Sequence, residues 1–163
     1  MQAAGNGAHH ETIEFNSAVS GGAQLTLSGV NNDTFRFNTA ADISELIALS
    51  PANQGWRIEA KVSGSLGTGD VTLANTVTLQ VDAADVMGDG VTLHLNGVKD
   101  SRKAAKVILN ASDTIQFLNF DGVAQTPGTW GSSTSAAANV DDVQFSGNGV
   151  LTVTGGATVI RIR

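Results

Sequence analysis

The stretch Asp121–Val153, DGVAQTPGTWGSSTSAAANVDDVQFSGNGVLTV, decides how this chain is read. It opens on Asp121-Gly122, a turn dipeptide, because aspartate and glycine tolerate the backbone that tight turns require. It closes on Val143–Ser146 and Val150–Val153, two short strand-like runs. Between them lies a loop of small polar residues that holds Trp130, one of only two tryptophans in 163 residues. Turn, loop and short strands in close succession point to an all-β chain.

The same stretch resembles the end of the β-strand-repeat regions of bacterial autotransporter-like surface proteins. There a run of the form DG-V-x-x-x-x-GTWGS is followed by a small-residue loop and then by D-x-x-FSGxGVLTV. The match covers about a fifth of the chain. Upstream, Val71–Gly97, VTLANTVTLQVDAADVMGDGVTLHLNG, is similar to the repeat of the same proteins, L-x-L-x-A-A-D-x-L-x-D-G-x-x-L-x-L-x-G. The resemblance implies a β-solenoid, with a right-handed parallel β-helix as the expected form, in an exported protein of the bacterial cell surface. Val-Thr-Leu recurs at 71–73, 77–79 and 91–93, as stacked repeats would require. Period-2 strands alone leave a β-sandwich or jelly roll open as the alternative, since alternation does not say which strands pair.

Working back toward the N-terminus, alternation is the recurring signal. Thr12–Phe15, Gln24–Ser28, Thr34–Asn38, Trp56–Val62, Asp70–Leu73, Thr76–Val81 and Val91–Asn96 each place apolar residues at every second position. Lys106–Asn110, Thr114–Phe120 and Thr158–Arg163 do the same on the C-terminal side. Gly21-Gly22, Asn31-Asn32-Asp33 and Gly64…Gly67 punctuate them. Residues 40–50 break the rhythm. Ile43, Leu46, Ile47 and Leu49 fall near helical spacing, and Pro51 follows, so one short helix is expected there. Residues 1–10 read as a flexible arm and 11–163 as a single β-solenoid domain.

Composition narrows the function. Charged residues make up 15% of the chain and the net charge is −6. An acidic chain without a basic stripe does not suit a nucleic-acid partner. No apolar run approaches the ~18 residues of a membrane span, so no membrane insertion is expected. The absence of cysteine leaves no disulfide or thiol chemistry. No phosphate-binding loop, GxSxG, HExxH or dinucleotide fingerprint occurs, and the chain reads as non-enzymatic with no cofactor.

Three sets of residues remain as candidates. Thr92, His94 and Asn96 share the polar face of one strand and form a row suited to a glycan, and Trp130 offers an aromatic face of the kind that stacks on sugar rings. Asp82, Asp85 and Asp89, or Asp141 with Asp142, are calcium candidates, because hard cations take clustered carboxylates; none has EF-hand spacing, and no dedicated metal site is assigned. Ile13 and Phe15 near one end, with Val159, Ile160 and Ile162 near the other, are candidates for self-association, because the terminal strands of a solenoid expose pairing edges. The expected partners are therefore a second copy or a surface glycan, and the expected location is extracellular or on the bacterial cell surface. The leading reading is a structural or adhesive module; the alternative is a carbohydrate-binding module associated with polysaccharide degradation.

Overall fold

A computed structural model describes residues 10–30, 32–51, 54–97 and 103–155. The described chain is all strand and turn, wound as a parallel β-solenoid. Each turn lays one strand in each of two facing sheets. The first sheet stacks β1 (Thr12–Phe15), β3 (Thr34–Phe37), β5 (Trp56–Ala60), β7 (Val77–Val81), β9 (Lys106–Leu109) and β15 (Phe145–Ser146). The second stacks β2 (Ala23–Ser28), β4 (Ile43–Leu49), β6 (Asp70–Leu73), β8 (Thr92–Leu95), β11 (Phe117–Phe120) and β12 (Val123–Ala124). Every pair along the first sheet is parallel. A sandwich built of hairpins is thereby excluded.

The register explains why alternation appears in every run. Ile13, Phe35, Ile58, Leu79, Val107 and Phe145 stand in one column, and Phe15, Phe37, Ala60, Val81 and Leu109 in the next. Across the core, Leu25, Leu46, Val71, Leu93 and Leu118 form the facing column. From Phe35 onward the first column is buried, and Phe37, Leu46, Ile58, Leu79 and Leu93 are inaccessible to solvent. Side chains of one coil pack on the same positions of the next, so each coil covers its neighbour's apolar face. Phe15 and Phe37 stack face to face, with ring centroids 4.4 Å apart.

The helix expected at 40–50 is a strand. β4 pairs with β2 on one side and β6 on the other. Its register slips at one point: Ala23 faces Ile43 and Gln24 faces Glu45, so Ser44 is an extra residue. Before the bulge Ile43 points inward; after it Leu46 and Ala48 do. The three-residue step from Ile43 to Leu46 is the bulge, and it imitates a helical period. Gly69 in the next coil makes room for it, since a Cβ there would lie 1.7 Å from the Ser44 carbonyl oxygen.

The run expected as one strand over 114–120 is divided. β10 (Asp113–Ile115) and β11 lie in different sheets, and Gln116 turns the corner between them. β10 belongs to a third sheet of order β10, β16 (Leu151–Val153), β13 (Gly128–Gly131) and β14 (Asn139–Val140). Among the described residues, the antiparallel pairs are confined to this C-terminal end: β12 on β11, and β13 on β16. Reversed strands cannot continue a parallel stack, and they close it.

Candidate functional site

The outer face of the first sheet is a charged ladder. Glu14, Arg36, Glu59 and Gln80 occupy successive rungs of one outward column. Arg36 Nη1 donates to Glu14 Oε1 and its Nε donates to Glu59 Oε2, both at 2.7 Å. Lys61 Nζ lies 3.2 Å from Glu59 Oε2 and 2.6 Å from Asp82 Oδ2. Asn110 Nδ2 and Gln80 Nε2 also donate to Asp82. Burial alone would raise both acids, but the hydrogen bonds from Arg36 and Lys61 to Glu59 outweigh it. Those from Lys61, Asn110 and Gln80 do the same at Asp82. Both carboxylates therefore lie below the usual range. The alternation of Trp56–Val62 places Arg57, Glu59 and Lys61 on one face, but it does not show the column. Its signal is the coil length: Glu14 to Arg36 is 22 residues and Arg36 to Glu59 is 23.

The outer face of the second sheet carries Thr26, Ile47, Thr72, His94 and Asn119 in one column. His94 Nδ1 and Asn119 Nδ2 are 3.2 Å apart. Thr92 takes the neighbouring column, and its N–H donates to Asp70 Oδ1 at 2.7 Å. Asn96 lies beyond the end of β8, and its N–H bonds Leu73 in the preceding coil at 3.1 Å. The residues that continue His94's row thus lie in other coils, and Thr92 and Asn96 are not among them.

Trp130 lies on β13 over the end of the stack. Its ring meets Phe120 edge to face at 5.6 Å, and Phe120 in turn lies 6.4 Å from Phe145. Its indole N–H donates to the Thr126 carbonyl at 3.0 Å. The half-buried ring is packed against the core, and the loop after it is bonded both to itself and to the turn at Gly147. Ser132 Oγ donates to the Gly147 carbonyl and Ser135 Oγ to the Ser132 carbonyl.

The calcium candidates are separated. Asp82 is engaged in the ladder. Asp85 and Asp89 border a shallow groove of about 430 Å³ with Ser63, Thr68 and Met87. Asp141 Oδ1 accepts the N–H groups of Val143 and Gln144, and Asp142 Oδ1 accepts that of Ser133. Among the described residues, no three His, Asp or Glu side chains converge as metal ligands would. Beneath the groove lies a carboxylate that sequence reading missed. Asp113 is buried and accepts the Met87 N–H at 3.2 Å and the Thr114 N–H at 2.8 Å. Burial pushes its carboxyl up to about 6, with Asp85 and Asp89 adding to the shift. Nothing in Ser112-Asp113-Thr114 distinguishes it from the other turn aspartates.

Ile13 and Phe15 lie on β1, the last described strand of the first sheet, and both are half-buried against the core. Val159, Ile160 and Ile162 lie outside the described residues. No helix among the described residues is long and apolar enough to cross a membrane. No protein-family model matches the chain, and comparison with the curated proteins and with the solved structures found no match.

Proposed function

We propose that this chain is a non-catalytic structural module of an exported bacterial surface protein, a stiff rod segment that associates with copies of itself end to end. The observation that carries the reading is the asymmetry of the two ends. One end is closed by antiparallel strands and the Phe120–Trp130 contact. At the other, β1 and β2 are the outermost described strands, in sheets whose every other pairing is parallel up to the cap. The outer ladder of alternating charge keeps the sides hydrated, which favours extension along the axis over lateral clustering. The resemblance to surface-protein repeats supplies the location. Light scattering on a chromatographic dilution series tests the reading. Mass should rise in multiples of 16.7 kDa with concentration; a constant monomer mass contradicts self-association.

A carbohydrate-binding module is the second reading, favoured by the Thr72–His94–Asn119 row, which presents polar groups at strand spacing on an open face. Retention on polysaccharide that His94→Ala weakens, with the β-sheet spectrum unchanged, supports it. Loss of retention in Trp130→Ala alone identifies the cap loop as the contact. An array on which the parent chain binds no glycan removes this reading.

A further inference from the structure

The turns that lead from the first sheet to the second are themselves stacked. The N–H groups of Gly64 and Leu66 donate to the carbonyls of Asp85 and Val86, and that of Gly88 donates to Gly67. On the other side of residues 85–89 this stacking stops. The Val81 carbonyl receives the N–H groups of Asn110 and Ala111, and the Val91 carbonyl those of Gln116 and Phe117. Between Val81 and Val91, among the described residues, no backbone hydrogen bond reaches the next coil. The chain there passes from β9 to β10 through residues 110–112 alone and enters the C-terminal sheet. The Asn110 side chain holds Asp82 at one end of this gap. Over 85–89, the one hydrogen bond from that side among the described residues runs from the Met87 N–H to the Asp113 carboxyl. We propose that Asp113, with Asp85 and Asp89, forms a pH-sensitive latch between the stack and its cap, closed in acid and opening locally at neutral pH.

The surroundings make this contact sensitive to charge. Asp113 is 3% exposed and Met87 is 1% exposed. The carboxyl takes the Met87 N–H on Oδ2 and the Thr114 N–H on Oδ1, and both donors favour an anion. The charged groups that act on it, Asp85 and Asp89, are themselves acids. β16, paired beside β10, brings Leu151, Thr152 and Val153, and the turn between the two aspartates brings Val86, Met87 and Gly88. Burial and like charge outweigh the two donors, and the carboxyl is pushed up to about 6. Below that pH the neutral acid still accepts from Met87 and carries no buried charge. Above it a third carboxylate is confined beside two others, without water. Asp85 and Asp89 stand exposed on the rim of the groove that Met87 also lines. Lifting Met87 off Asp113 opens a way from that groove to the carboxylate and hydrates it. The strands on either side, β7 and β8, are paired with both neighbours in their sheets, which confines the opening to this corner. The latch depends neither on self-association nor on a ligand.

Amide hydrogen exchange of the full chain at pH 5 and pH 7.5, corrected for intrinsic rates, provides the test. The Met87 amide should open on the order of ten-fold more at pH 7.5, the change produced by a carboxyl at about 6 when closed and 3.8 when hydrated. The opening should also be local, more frequent than that of the Leu79 amide in β7 and insensitive to low urea. Asp113→Asn is uncharged at both pH values and should abolish the pH difference. Asp85→Asn combined with Asp89→Asn should shrink it. Met87 opening that follows Leu79 at every urea concentration overturns the latch, because cap and stack then part only on global unfolding. So does local opening of equal frequency at both pH values, or a ten-fold rise that survives in Asp113→Asn. The first two outcomes are read on the parent chain and do not depend on a variant folding.

Discussion

At the scale of single residues, Asp113 and Gly69 test the fold most sharply. Asp113 is a carboxyl whose folded form holds its proton more tightly than the unfolded chain does, at about 6 against 3.8. Between those values the native state binds more protons. Its contribution is therefore fully present below about pH 4 and is lost as pH rises through about 6, by on the order of 2–3 kcal/mol. Glu59 and Asp82 act oppositely. Their lowered carboxyls stabilise the fold above the ordinary carboxylate range and cease to do so as pH falls through it. Urea midpoints should fall as pH rises from 4 to about 6 and level off above that, and Asp113→Asn should flatten the fall. An unchanged slope in the variant contradicts the assignment. Gly69→Ala forces a Cβ into the Ser44 carbonyl. Part of a coil must shift, at a cost of about 3 kcal/mol or roughly 10 °C in Tm. A variant that melts with the parent would show that the bulge on β4 is not packed there.

At the scale of elements, β4 shows where sequence reading succeeds and where it stops. Alternation located β1, β3, β6 and β7 almost to the residue, because one buried face and one wet face impose a period of two. It missed β4 because a single inserted residue resets the phase, and no residue type announces a bulge. The strand assignment has a direct check. Leu46 faces the core and Ile47 faces outward. Leu46→Thr should therefore cost about 3 kcal/mol and Ile47→Thr less than about 1. Equal costs would argue for a helix-like burial of both. The ladder on the first sheet was legible only in part, since its spacing of 22 or 23 residues acquires meaning once the coil length is known. Glu59→Gln removes the carboxylate shared by Arg36 and Lys61. It should lower stability by about 1–2 kcal/mol, with the loss shrinking at 1 M salt as the remaining ion pairs are screened. A salt-independent loss would instead assign Glu59 a packing role.

At the scale of the whole molecule, periodicity could not separate a solenoid from a sandwich; the resemblance of Asp121–Val153 made that choice, and parallel registers along both sheets support it. The same resemblance marked the stretch that forms the cap, yet its antiparallel pairing was invisible in the residues, because Gly128–Gly131 has no alternation to read. Trp130, expected as an aromatic platform, is half-buried with its ring edge to face on Phe120. The proposed role makes the chain's shape, extended by copies of itself, its function. Electron microscopy of the associated fraction checks that proposal. Unbranched rods one coil wide are expected, with an axial repeat of about 29 Å or a little more from six layers at ~4.8 Å each. Compact particles, or bundles joined side by side without that repeat, would contradict it.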